Sequence, residues 1–152
     1  MQQDRVCEQG GNEILLAQRF AQVFGLIYLV VGIAGFIPVR PLLVGELPPP
    51  ITGPFDGYLL GLFAVNWFHS LTHLAIGAVG LAVYRSPTGA MSYALALGVA
   101  YALLFVIGLL TSLSAFGGLL PLNGWDDILH LLTALLAFGA YFASRGASRS
   151  AI

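Results

Sequence analysis

The chain has no lysine, a single cysteine, and few charges of either sign: six arginines and seven acidic residues in 152 positions. Without lysine there is no Schiff-base residue, so a retinal pigment or a pyridoxal enzyme is excluded. The lysine of a phosphate-binding loop is missing for the same reason. With Cys7 alone, neither an internal disulfide nor a cysteine metal cluster can form. A net charge of −1 gives no basis for binding nucleic acid.

What is present is apolar. The composition is 58% hydrophobic and the mean hydropathy is +0.87. A soluble domain of this size cannot bury so much apolar surface, which makes lipid the expected solvent. Crossing the hydrocarbon layer takes roughly 20 apolar residues in a helix. Four runs qualify, at about 20–37, 64–84, 91–113 and 125–143. They are continuous rather than alternating and are too long for barrel strands. The expected fold is all-α and integral to the membrane: a four-transmembrane-helix bundle made of two tandem helical hairpins. Residues 1–13 form a polar N-terminal tail, 14–145 the transmembrane domain and 146–152 a C-terminal tail. The long connection at 38–61 contains Pro48, Pro49 and Pro50, which cannot be helical, and is expected to lie on the membrane surface.

Arginine sets the orientation. Arg5, Arg19, Arg85, Arg145 and Arg149 flank one side of the spans and Arg40 the other. That bias places both termini in the cytoplasm. The first span lacks a small-residue cleavage motif, since Ile37, Pro38, Val39 and Arg40 follow it, and is expected to be retained.

All three histidines lie in two matching stretches. Asn66 precedes His73 as Asn123 precedes His130, and each pair is offset from the other by 57 residues. In this register His69 matches Asp126, with Asp127 beside it. Tyr84 and Tyr141 follow the two histidines at equal distance. Gly25, Tyr28 and Gly35 in the first span match Gly98, Tyr101 and Gly108 in the third, so spans one and two repeat as spans three and four. Such a repeat implies a pseudo-two-fold axis along the membrane normal. In each second helix the polar and small residues recur every three or four positions and share one face. That face should meet other helices rather than lipid.

Intramembrane polar groups persist where they pair, bind something or line a path. Four readings follow. In the first, Asn66, Asn123 and Asp127 join the His and Asp groups in a hydrogen-bonded structural cluster, and the protein is a structural or accessory component. In the second, His69, His73, Asp126 and His130 ligate a transition metal, since imidazole and carboxylate suit zinc, iron or copper. In the third, His73 and His130 hold a haem or a chlorophyll-type pigment, with Gly77, Gly80 and Ala134 leaving room for the ring. In the fourth, the groups carry protons or a small solute, which would need an oligomer. Stripes such as Gly32 and Gly35 suggest packing into a homo-oligomer or a larger membrane complex. Ser70, Thr72, Ser112 and Ser114 lack a paired base, so no catalytic residue is assigned.

The run Asn66-Trp67-Phe68-His69-Ser70-Leu71-Thr72-His73-Leu74-Ala75-Ile76-Gly77, with His130 in the fourth span, resembles the signature of an uncharacterised family of small bacterial four-span membrane proteins, domain of unknown function 4383. Ser70 stands where the family pattern has Asn. The resemblance covers about residues 18–143 and implies an integral membrane protein with no assigned activity.

Overall fold

The structure is a computed structural model that describes residues 2–37, 55–111, 114–115 and 119–150, with side-chain environments defined for 16–37, 55–111 and 119–145. In chain order the elements are α1 (Gln2–Ala34), β1 (Gly57–Leu59), β2 (Phe63–Val65), α2 (Trp67–Val83), α3 (Pro87–Leu110), β3 (Ser114–Ala115), β4 (Leu120–Pro121) and α4 (Gly124–Ser150). The fold is mostly helical. Three helices are long and apolar enough to cross a membrane, over Leu16–Ala34, Pro87–Leu110 and Gly124–Arg145; α2 is a shorter apolar helix.

The helix boundaries follow from local chemistry. The Asn66 side chain accepts a hydrogen bond from the His69 amide at 2.8 Å, which caps α2. Ser86 caps α3 in the same way through the Gly89 amide at 3.1 Å, and Pro87 occupies the first helical position, where its missing N–H costs nothing. At the start of α4, Asn123 Oδ1 accepts from the Asp126 amide at 3.0 Å while Asp126 Oδ2 accepts from the Asn123 amide, also at 3.0 Å. This is a reciprocal capping box with a carboxylate at its third position.

Between the helices sit two small antiparallel pairs, β1 with β2 and β3 with β4. In the first, Tyr58 lies opposite Ala64. Its turn runs through Leu60 at φ 54° and Gly61 at φ 73°. Both central residues are left-handed, as a tight hairpin turn of this hand requires. Gly61 adopts that geometry without strain, whereas Leu60 does so at a cost of about 1–2 kcal/mol.

α1 is the hub. It packs along both α2 and α4, α3 packs chiefly on α4, and α2 and α3 barely meet. On its inner face Phe20, Phe24 and Tyr28 recur every fourth residue; the first two rings stack at 4.3 Å. Small residues on the partners, among them Ala90, Ala94, Ala134 and Ala137, leave room for these rings. Where α1 crosses α2 the backbones nearly touch. A Cβ on Gly77 would lie 2.6 Å from the Leu29 amide nitrogen and 2.7 Å from the Gly25 carbonyl oxygen, so glycine is required there. The outward faces are apolar instead: Leu26, Ile33, Leu103, Leu109 and Leu135 are all more than half exposed.

Several expectations are revised. The fold is not purely helical, because Ala64 and Val65, expected at the start of the second span, belong with Phe63 to a strand. Asn66 accounts for the shift: as a cap it starts the helix at Trp67. The third helix begins at Pro87 rather than near 91, for the Pro87 reason just given. From Gln2 onward the polar segment continues α1, and α4 runs on to Ser150, so neither tail is a separate element in the backbone. α1 ends at Ala34, four residues before Pro38, which disfavours a helical conformation in the residue preceding it. Gly32 and Gly35 are not an outward packing stripe; they lie against Leu74 and Ser70 of α2. Arg40, Pro48, Pro49, Pro50 and Ser112 lie outside the described residues.

Candidate functional site

The two asparagines that cap α2 and α4 also reach across to the opposite hairpin. Asn66 Nδ2 donates to the Leu119 carbonyl at 3.0 Å, and Asn123 Nδ2 donates to the Leu62 carbonyl at 2.7 Å. Leu119 follows Leu62 by the same 57 residues that separate the two asparagines, so each bond mirrors the other. The left-handed turn at Leu60 and Gly61 is what presents the Leu62 carbonyl.

Ala64, on β2, explains the charged member of the cluster. It is fully buried, and both of its backbone groups are taken by side chains. Its amide donates to Asp126 Oδ2 at 3.2 Å, and its carbonyl lies 3.0 Å from His69 Nδ1. A carbonyl only accepts, so the His69 proton sits on Nδ1. Asp126 Oδ2 therefore receives two buried amides, one from each hairpin. The position that matches Ala64 at the 57-residue offset is Pro121, which has no N–H to satisfy. That accounts for the one asymmetry in the pattern. An acceptor is needed at 126, where an amide points at it, and not at 69, where a histidine stands instead.

Below this layer the chemistry changes. The His69 and His73 rings lie 4.5 Å apart, centre to centre. Tyr28 sits 5.2 Å from His73, Tyr101 sits 5.1 Å from His130, and the two tyrosines are 5.7 Å from each other. The Tyr28 hydroxyl hydrogen-bonds with Tyr101 and Thr133. His130 is 4% exposed. In the described structure the Nδ1 atoms of His73 and His130 are buried without a hydrogen-bond partner. Both rings, with Tyr28, Tyr101 and Thr133, line a cavity of about 310 Å³ between α1 and α4. Its mouth is formed by Ile27, Leu129, Leu132 and Leu136, all more than 40% exposed.

The candidate residues thus divide into two groups. Asn66, His69, Asn123 and Asp126 are joined through hydrogen bonds to backbone, whereas His73 and His130 face the cavity. Among the described residues, no three His, Cys, Asp or Glu side chains are grouped so as to hold a metal ion. Asp127 stands apart from both groups, its Oδ1 buried without a partner against Gly108 of α3. Gly77 and Gly80 leave no room beside a ring, because they meet α1 and Tyr93 instead, and Ala134 belongs to the packed core.

Sequence reasoning missed Ala64, Leu62 and Leu119, which act through backbone atoms that carry no residue-type signal. It also left Tyr28 and Tyr101 unassigned, although the matching glycine-tyrosine spacing had already paired them. Residues 18–143 match the family described as a domain of unknown function (DUF4383). Neither the curated proteins nor the solved structures contain a significant match.

Proposed function

Since the chain belongs to the DUF4383 family, a domain of unknown function, over residues 18–143, we propose that it is a four-span integral protein of the bacterial cytoplasmic membrane whose Asn/His/Asp cluster is a structural lock between two tandem hairpins. The mirrored Asn66 and Asn123 bonds carry this reading, together with the two amides that converge on Asp126. Backbone groups away from water must be satisfied internally, and a side-chain lock at the end of a helix bundle does this without extra chain.

The length of α2 fits the span count. Its 17 residues rise about 26 Å at 1.5 Å each, close to the roughly 30 Å of the hydrocarbon core. Charge supports the orientation. Gln18 Nε2 donates to the Arg85 carbonyl, and the Ala17 amide donates to Ser144 Oγ, which gathers Arg19, Arg85 and Arg145 at one end, away from the two asparagines. An excess of arginine on one side favours that side as cytoplasmic. The role that fits is a structural or accessory component, packing against itself or a larger assembly through its apolar outer faces.

The test combines stability with composition. Asn66→Ala and Asn123→Ala should each lower the detergent unfolding midpoint by a similar amount. Protein purified from its native membrane should carry no stoichiometric iron, zinc or copper. About one metal equivalent that disappears in His73→Phe would replace the structural reading with a cofactor-binding one.

A further inference from the structure

The end of the bundle opposite the asparagines carries a polar crevice that the lock does not use. Gln18, Arg19 and Gln22 of α1, with Tyr84 and Arg85 just past α2, line a cavity of about 300 Å³. The Gln18 bond to the Arg85 carbonyl, at 3.0 Å, ties the α2–α3 turn to α1 and so sets Arg19 and Arg85 around one opening. Arg85 is held in place: its Nε donates to the Tyr84 hydroxyl at 2.9 Å, and its guanidinium carbon lies 5.4 Å from the centre of that ring. Among the described residues its four terminal N–H groups have no partner. The Tyr84 oxygen accepts from Arg85, so its own O–H is left to donate. The exposed Gln22 amide adds two more N–H groups. Both charged residues lining the crevice are cations, and no carboxylate stands among the lining residues. Such a set of donors suits an anion with several acceptor oxygens, and guanidinium matches a phosphate best.

The surroundings of the crevice decide what carries that anion. Arg19 lies one turn inside the apolar stretch Leu16–Ala34, which puts the crevice at the edge of the bilayer. Further along the same helix Val23, Leu26 and Val30 are more than half exposed, a surface for hydrocarbon. On its other flank Arg19 borders an apolar furrow of about 510 Å³ between α1 and α4, lined by Phe20, Leu136, Gly139 and Ala140 among others. Gly139 keeps the furrow open, since nothing lies within 4 Å of the place its Cβ would take. A phosphate with hydrocarbon chains fills both spaces, whereas a free phosphate leaves the furrow unused. A zwitterionic lipid brings an ammonium group that finds no carboxylate here.

We propose that the crevice binds the headgroup phosphate of an anionic phospholipid, with Arg19 and Arg85 on the phosphate and one acyl chain in the α1–α4 furrow. The proposal rests on the membrane reading above and not on the asparagine lock. That reading fails separately, if the chain leaves its membrane without detergent.

The experiment is native mass spectrometry of the full chain, purified in maltoside detergent and titrated with dioleoyl phosphatidylglycerol. About one lipid per chain is expected, bound about fivefold or more tighter than dioleoyl phosphatidylethanolamine. Arg19→Gln and Arg85→Gln should each weaken it about fivefold, the usual contribution of one arginine at a membrane surface. Gly139→Phe fills the furrow without touching the crevice, should weaken binding by a similar factor, and carries the test if Arg85→Gln does not fold. Arg145→Gln removes a charge from the same end without lining the crevice, and should bind as the parent does. Equal binding of the ethanolamine lipid, or an Arg145→Gln loss as large as that of Arg19→Gln, would overturn the proposal in favour of diffuse surface charge. Displacement of the lipid by an equal concentration of inorganic phosphate would overturn it in favour of a free-anion site.

Discussion

Replacing Asp126 with alanine tests the lock at its most connected point. The carboxylate oxygen Oδ2 accepts from the Asn123 amide at 3.0 Å and from the Ala64 amide at 3.2 Å. Ala64 is 0% exposed and Asp126 4%, so water does not replace the lost acceptor. Each orphaned buried amide costs about 1–3 kcal/mol, which makes Asp126→Ala a loss of about 2–6 kcal/mol. Asp126→Asn keeps an oxygen in place but loses the charge assistance, and should cost less than the alanine change. Trp67 and Trp125 each lie within two residues of a capping asparagine, so their fluorescence during a titration from mild detergent into dodecyl sulfate reports on this end of the protein. Far-UV circular dichroism taken alongside should stay largely helical. The built-in contrast is Asp127, whose Oδ1 is buried without a partner. Asp127→Ala removes an unsatisfied atom and a favourable helix-end charge together, so it should stay within about 1 kcal/mol of the parent. If Asp126→Ala moves the midpoint by less than about 0.5 kcal/mol, or if Asp127→Ala costs as much, the two amides on Asp126 do not hold the hairpins together.

Three further outcomes follow. Gly77→Ala places a methyl against the α1 backbone and should cost about 1–3 kcal/mol in the same titration, whereas Gly139→Ala, with open space around it, should be neutral or stabilising. Gly108→Ala drives a methyl into the Asp127 carboxylate; adding Asp127→Ala should recover most of the loss, seen as a coupling of about 0.5–3 kcal/mol in a double-mutant cycle. In intact cells Cys7 should react with a membrane-permeant maleimide and not with an impermeant one, and labelling from outside would reverse the proposed orientation.

The apolar runs were legible in the chain because a helix in lipid leaves a compositional record about 20 residues long. The matched positions of Asn66 with Asn123 and of His73 with His130 were equally legible, since polar residues stand out against such a background. Their division of labour was not. Whether a histidine is spent on a backbone carbonyl, as His69 is on Ala64, or faces a cavity, as His130 does, depends on which main-chain groups the opposite hairpin brings within about 3 Å. Backbone atoms have no letter in the sequence. The strand before α2 was hidden for a related reason: Ala64 and Val65 are apolar, and apolar residues next to a span read as more span. The matching asymmetry, Asp126 against His69, became intelligible only when Ala64 was seen to offer an amide where Pro121 has none. The glycines reversed their meaning in the same way. A Gly stripe marks close approach, but only the packed helices decide whether the neighbour is another chain or, as for Gly32 and Gly35, the chain's own α2.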